Sequence, residues 1–208
     1  MTELIFVRHG QTEANVAGRW EGWSEGTLTP FGQAQAEAVA RRLANEDRHD
    51  GVAALYTSPL CRAFETARII GAALGLQPVS VNDLREIDFG ELDGITLAEM
   101  EAQRPALFAR WKNRADMEFE WPGGERRIDF FHRVAGACDR ILALHPEGHV
   151  VIVAHGGTLR GCLAHLLPGQ LDQWWEYALD NCGLTYVSVE GTGARLLMLN
   201  DGAHLPAH

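Results

Sequence analysis

Apolar residues along the chain fall into two kinds of stretch, short unbroken runs and sets spaced at helical intervals. Leu4-Ile5-Phe6-Val7 is an unbroken run that stops at Arg8-His9-Gly10. A run without polar alternation predicts a strand buried on both faces, as in a parallel sheet. Val52-Ala53-Ala54-Leu55-Tyr56 and Pro78-Val79-Ser80-Val81 predict two further strands. His149-Val150-Val151-Ile152-Val153-Ala154 predicts the strongest one, and it ends in His155-Gly156-Gly157, echoing His9-Gly10. Leu184–Val189 and Arg195–Leu199 flank Gly191-Thr192-Gly193 and predict a closing hairpin.

Helical spacing fills the intervals. Thr29 suits an N-cap and Pro30 the first helical position. Ala34, Ala38 and the Val39/Leu43 pair give that helix an apolar stripe, and it ends in the polar Asn45-Glu46-Asp47-Arg48. Ser58-Pro59 starts a second helix, running to about Leu74 with Gly75 as its stop. A long helix carries Ile128, Phe131, Val134/Ala135, Cys138 and Ile141/Leu142 on one side, and Pro146-Glu147-Gly148 closes it. Thr158 to Leu167 predicts another.

Strands alternating with helices predict an α/β fold, a three-layer sandwich in which a doubly wound, mostly parallel sheet is flanked by helices. A chain of 208 residues is enough for one domain, spanning 1–208. Residues 95–124 are less regular. Thr96 caps one short helix there and Pro105 starts another, while Trp111 and Trp121 with Pro122-Gly123-Gly124 predict a short cap-like excursion packed over one face.

Charge narrows the function. The net charge of −10 argues against nucleic acid or an anionic membrane as partner, so any anion site must be built locally. Lysine occurs once, at Lys112, which leaves that work to arginine, whose fixed charge and bidentate fork suit phosphate or carboxylate. Cys61, Cys138, Cys162 and Cys182 have neither metal-ligand nor redox-motif spacing. The first strand begins almost at Met1, leaving no room for a signal peptide, and no apolar run approaches membrane-spanning length. A cytoplasmic protein with free thiols is expected.

Candidate chemistry gathers where the strands end, since open α/β sheets bind ligands at the carboxyl ends of their strands. If the first and the strongest strand are neighbours, His9 and His155 face each other across one crevice. Arg62 begins the helix after the second strand, and helix starts attract anions. Arg8, Arg62, His155 and Asn15 then surround a phosphate, and Glu86, in the acidic loop Leu84–Gly94, supplies an acid. The chemistry that fits is phosphoryl transfer to a neutral His9 whose tautomer is fixed by a backbone carbonyl. The arginines and a protonated His155 offset charge on the transferring group, and Glu86 protonates the leaving alkoxide and later takes a proton from water. No metal is needed.

Each residue alone has a plainer reading. Arg62 pairs with Glu65 or Glu125, and Glu86 is a surface charge, as Asp88, Glu91 and Asp93 are read to be. His49, His132, His145, His149 and His165 are solvated or structural. Trp20, Trp23, Trp111 and Trp121 pack or line a pocket, and Trp174-Trp175 are core or interface, compatible with a homodimer if exposed.

The order and company of these motifs decide between the readings. Arg8-His9-Gly10-Gln11-Thr12-Glu13-Ala14-Asn15, Leu28-Thr29-Pro30-Phe31-Gly32, Ser58-Pro59-Leu60-Cys61-Arg62-Ala63, Leu84–Gly94 and Val153-Ala154-His155-Gly156-Gly157 follow one another along the chain. Together they resemble the histidine phosphatase superfamily, in its phosphoglycerate mutase-like branch. The resemblance implies the same sandwich fold and His9 as the phosphorylated nucleophile, with Glu86 as proton donor and acceptor. It implies Arg8, Asn15, Arg62 and His155 as phosphate ligands, and Gln11, Glu21, Gly22 and Gly156 as further substrate-binding positions. It implies no metal or other cofactor, and a small phosphorylated metabolite as partner.

Departures from the mutases point to a phosphatase. Where mutases carry Arg-His-Tyr-Gly after the acid, this chain has Ile87-Asp88-Phe89-Gly90. Its excursion is short, although Arg104, Arg110, Lys112 and Arg114 lie in it. Many phosphatase members read Gly-Glu-Ser where Gly124-Glu125-Arg126 stands. Glu21 replaces a residue that is often polar and uncharged, and a carboxylate there repels an anionic substrate unless only its backbone is used. The expected function is a cofactor-independent phosphatase acting on a small phosphomonoester. The alternative is a phosphoglycerate mutase using the same intermediate.

Overall fold

Six strands form one sheet in the computed structural model, which describes residues 1–46, 51–167 and 174–207. They are β1 (Thr2–Arg8), β2 (Val52–Thr57), β3 (Val79–Ser80), β4 (Gly148–Ala154), β5 (Leu184–Glu190) and β6 (Gly193–Asp201), ordered β3-β2-β4-β1-β5-β6. The first four strands of that order run parallel, and the β5–β6 hairpin adds antiparallel to β1. The predicted α/β architecture is present.

The unbroken apolar runs are explained by helices on both faces. After the one-turn helix α1 (Glu13–Val16), helices α2 (Pro30–Asn45) and α3 (Cys61–Leu74) cover one face, where Ile5, Val7, Val151 and Val153 pack with Val39, Leu43, Ala67 and Ile70. Helices α6 (Arg127–Leu144) and α7 (Gly156–Leu166) cover the other, where Leu4, Phe6, Val150 and Ile152 pack with Phe130, Val134, Cys138 and Leu163. Burying each such side chain is worth about 1.5–3 kcal/mol, so a polar residue within Leu4–Val7 or Val150–Ala154 is costly.

Local signals set most helix ends. Thr29 accepts the Gly32 N–H and Pro30 opens α2, while Gly75 stops α3 at φ +70°. Helix α3 starts at Cys61, because the hydroxyl of Ser58 accepts the Leu60 N–H and forms a turn first. Helix α7 starts two residues before Thr158, with extended His155 as its cap. The third strand is only two exposed residues at the sheet edge. On α6 the buried face is Phe130/Phe131, Val134, Ala137/Cys138 and Ile141, so Ile128, Ala135 and Leu142 of the predicted stripe stay half-buried. On α2 it is Gln35/Ala36, Val39/Ala40 and Leu43, with Ala34 half-buried. Asp47 and Arg48 of that helix's predicted polar end, and His49, lie outside the described residues.

Residues 95–124 carry α4 (Leu97–Gln103) and α5 (Pro105–Lys112), and Thr96 caps α4 with Glu99 in a reciprocal capping box. Met100, Phe119 and Trp121 from this stretch enter the core. The Arg127 guanidinium donates to the carbonyls of Trp111, Asn113, Arg114 and Asp116, which fixes the irregular backbone. Trp174 is buried against Phe130 and Phe131, and Trp175 is half-buried. The pair forms no exposed patch, so the argument from it for a homodimer lapses. The four cysteines are free thiols, and no helix among the described residues is long and apolar enough to cross a membrane.

Candidate active site

Strand register brings the two histidines together. Arg8 is paired with Ala154, so β1 and β4 end level, and the His9 N–H donates to the Ala154 carbonyl at 2.9 Å. The His9 and His155 rings lie 5.1 Å apart, centroid to centroid, and both are buried. His9 Nδ1 is 2.8 Å from the Gly10 carbonyl. A carbonyl only accepts, so Nδ1 holds the proton and Nε2 carries the free lone pair. Burial, then the charges of Arg62 and Arg8, hold His9 well below the usual histidine range. The ring is therefore a neutral, oriented nucleophile at neutral pH.

His155, like His9, is held below the usual histidine range in the free protein. Burial comes first among the causes, followed by Arg62, His9 and Arg8. Its Nε2 lies 2.8 Å from the Ser58 hydroxyl, which already accepts the Leu60 N–H. In the tautomer in which that hydroxyl donates to Nε2, Nδ1 carries the hydrogen and is free to donate.

Arg62 is fully buried at the start of α3 and pairs with neither Glu65 nor Glu125. Its terminal nitrogens donate to the carbonyls of Ser24 (3.0 Å), Glu21 (2.9 Å) and Gly22 (2.8 Å), holding the glycine–tryptophan loop. Arg8 donates to the Leu179 carbonyl at 2.8 Å. Arg8 Nε, Arg62 Nε and His155 Nδ1 are buried with no hydrogen-bond partner among the described residues. Buried polar groups without partners are rare, and three such groups around His9 suit an anion.

Glu86 is not a surface charge. Its carboxylate accepts N–H bonds from Gly157 (2.8 Å) and Thr158 (3.0 Å) in the first turn of α7, and from Ile87 (3.0 Å). Its main chain is fixed as well, because Trp23 Nε1 and Arg133 both donate to the Glu86 carbonyl at 2.8 Å. Arg133 further donates to the carbonyls of Asp83 and Arg85, and pairs with Glu125 at 2.6 Å. Glu125 in turn accepts the Asp88 N–H at 2.8 Å. Asp93 is another correction to the surface-charge reading, since it accepts the N–H groups of Gly22 and Ser24 and ties the glycine–tryptophan loop to the acid loop.

A cavity of about 250 Å³ opens from this seat. Of the expected site residues, Arg8, His9, Asn15, Glu21, Glu86 and Gly156 line it. Arg62 and His155 stand behind the lining. Gln11 and Gly22 are framework rather than lining: Gln11 Oε1 accepts the Thr29 hydroxyl, and the Gly22 N–H goes to Asp93. Asn15 is oriented by Asn181, which donates both to Asn15 Oδ1 (3.0 Å) and to the His9 carbonyl (2.8 Å). Trp20, Trp111 and Trp121 line the cavity wall, as the pocket reading of the tryptophans expects, and Trp174 and Trp175, read as core or interface, line it too, whereas Trp23 serves the Glu86 loop. Arg114 stacks 3.7 Å above Trp111 on that wall. Burial, then Arg127 and Arg160, push its guanidinium down to about 10. Arg160 lines the wall beside it and donates to the Tyr177 carbonyl.

Sequence reasoning missed Asn181, Arg133, Arg160 and the roles of Trp23 and Asp93. Only Glu125 had a signal, as part of a family-like Gly-Glu pair. Among the described residues no group of three or more His, Cys, Asp or Glu is placed to hold a metal ion. His204 and Asp201 serve locally, His204 at the Cys182 carbonyl and Asp201 at the Ala203 N–H.

A profile of the histidine phosphatase superfamily (branch 1) matches residues 4–202. Phosphoserine phosphatase 1 of Hydrogenobacter thermophilus is 32% identical over 205 residues, covering 99% of this chain and 95% of the relative. A metal-independent phosphoserine phosphatase of Arabidopsis thaliana is 36% identical over 163 residues, covering 77% of this chain and 66% of the relative. A mycobacterial glucosyl-3-phosphoglycerate phosphatase in complex with VO3 superposes with a TM-score of 0.83 at 32% identity, covering 95% of this chain and 98% of that one.

Proposed function

This chain belongs to the histidine phosphatase superfamily, and we propose that it is a cofactor-independent phosphatase that hydrolyses a small phosphomonoester through a phosphohistidine on His9. The observation that carries the proposal is the state of His9: neutral, with Nδ1 held by the Gly10 carbonyl, and set among buried arginine donors.

In the first step His9 Nε2 attacks phosphorus and the bond to the alkoxide oxygen breaks. Glu86, carrying a proton in the substrate complex, gives it to that oxygen. In the second step water attacks the phosphohistidine, Glu86 takes the water proton, and the P–N bond breaks. Inorganic phosphate leaves and His9 returns to its neutral form. Arg8, Arg62 and the Nδ1–H of His155 stabilise the charge on the equatorial oxygens, and each such donor is typically worth about 10²–10³ in rate. Fixed cations supply the charge that a metal supplies elsewhere. The metal-independent name of the Arabidopsis relative supports that part of the reading.

The cavity suits a small metabolite. Arg114 and Arg160 on its wall favour one that carries a second acidic group besides the phosphate. The mutase alternative has little support in the excursion. Arg104 and Arg110 pair with Glu91 and Asp116, Lys112 lies over Phe108, and only Arg114 of the four cations lines the cavity. The free thiols suit a reducing cytoplasm, and the net charge of −10 disfavours nucleic acid or a membrane surface as partner.

The test is phosphate release from a generic aryl phosphate, with and without a chelator, beside His9→Ala. The proposal predicts chelator-insensitive release that the substitution abolishes. An inert wild type that interconverts phosphoglycerates would replace it with the mutase reading.

A further inference from the structure

Besides the acid Glu86, Glu21 is the expected site residue whose charge has the wrong sign for an anion seat, yet its carboxylate is built into the structure. It lines the cavity together with Arg8, His9 and Asn15. Its Oε2 accepts the Thr12 hydroxyl at 2.7 Å and lies 3.7 Å from Arg62 Nε, the buried donor that lacks a hydrogen-bond partner. Only 7% of the Glu21 side chain is exposed. Gly26 makes room for it, since a Cβ there would collide with Glu21 Oε1. The backbone of the same residue works in the opposite sense, its carbonyl helping to clamp Arg62.

We infer that the Glu21 carboxylate sets the affinity of the site, opposing phosphate in the seat so that the product does not stay bound. The inference rests on the phosphatase reading of the same cavity. Arg8, Arg62 and His155 stand around His9, where phosphate is expected, and in a buried site such charges bind a dianion strongly. Tight binding of ground state and transition state alike adds nothing to turnover once substrate is saturating, and it slows release. A fixed carboxylate beside Arg62 offsets part of that attraction before any ligand arrives. Its effect falls on substrate, transition state and product alike, whereas Glu86 acts on the proton being transferred.

A purely structural Glu21 predicts the opposite sign. If the carboxylate only braces Thr12 and Arg62, removing its charge loosens the seat and weakens phosphate binding. The inference predicts tighter binding.

The experiment is calorimetric titration of the full chain with inorganic phosphate, comparing wild type, Glu21→Gln and Glu21→Asp. Glu21→Gln keeps the shape and an acceptor for Thr12, and its phosphate dissociation constant is expected to fall about tenfold. Glu21→Asp keeps the charge and is expected to stay close to wild type. The inhibition constant for phosphate against aryl phosphate turnover is expected to fall in parallel in Glu21→Gln. If that variant does not fold, Glu21→Ser removes the charge with a smaller side chain and is expected to shift binding in the same direction. Unchanged or weaker phosphate binding in a folded uncharged variant overturns the inference. Calorimetry reads binding without turnover, so failure of the phosphatase reading shows separately, as a wild type that releases no phosphate from any monoester.

Discussion

The Glu86 carboxylate rests on the Gly157 N–H, 2.8 Å away, so the loop after β3 is joined to the first turn of the helix that follows β4. The contact works only because residue 157 has no side chain, since a Cβ there would collide with Glu86 Oε1. On helix propensity alone, Gly157→Ala would stabilise α7 by roughly 0.5–1 kcal/mol. Displacing the acid outweighs that for function. The variant is expected to fold and to lose about 10- to 100-fold in kcat, with a smaller change in KM, read in steady-state assays.

Both histidines titrate below the usual range, which fixes two pH dependences. For activity, kcat/KM reports the free protein, so its acid limb is expected below about 6.5, the ordinary histidine value. A limb at or above that value would contradict the burial argument for His9.

Stability follows the same shifts. The folded pKa values of His9 and His155 are lowered, so the unfolded chain binds more protons once the pH falls below about 6.5. Their contribution is complete above that pH and is lost progressively as the pH falls toward the folded values. Each histidine contributes a slope of about 1.4 kcal/mol per pH unit in that window. Urea unfolding at pH 7 and pH 5 measures it, and His9→Ala is expected to remove one histidine's share.

Arg133 holds three carbonyls of the acid loop and the Glu125 carboxylate from α6. Arg133→Met leaves Glu125 unpaired and is expected to cost about 2–4 kcal/mol of stability, with kcat falling more than KM changes. Arg133→Lys restores the charge but not the fork, so it is expected to recover only part of both. Thermal unfolding and steady-state kinetics check the pair.

Arg114 stacks on Trp111 in the outer wall, and no carboxylate is among the groups that shift its charge. Arg114→Ala is expected to raise KM for phosphoserine about tenfold, and to raise KM for an aryl phosphate less. Equal effects on both substrates would contradict a second acidic group at this wall.

What the sequence revealed divides along physical lines. Unbroken runs such as Leu4–Val7 and Val150–Ala154 read correctly because layers on both faces leave no position for a polar residue. Their His-Gly ends meet as expected because β1 and β4 are parallel neighbours that end level. Helix stripes were off by a residue or so, as at Ile128 and Ala34, because half-buried alanine and isoleucine look the same in sequence as buried ones. The charged groups divide by where their partners lie. His9 was legible because its partner, Gly10, is adjacent in the chain. The partners of Arg62, Glu86 and His155 lie tens of residues away, so the residues were legible but not the clamp on the glycine–tryptophan loop, the seat on α7 or the Ser58 contact of His155. Asn181 and Arg133 touch the site only through other residues and carried no motif.

The most direct measurement is to trap the phosphoenzyme. Rapid mixing with aryl phosphate, an alkaline quench that preserves phosphohistidine, and peptide mass analysis would locate the phosphoryl group. Because Gly10 holds the proton on Nδ1, the account predicts phosphate on His9, linked through Nε2. A phosphoryl group on another residue, linkage through Nδ1, or rapid turnover with no phosphoenzyme in either the wild type or Glu86→Gln would contradict it.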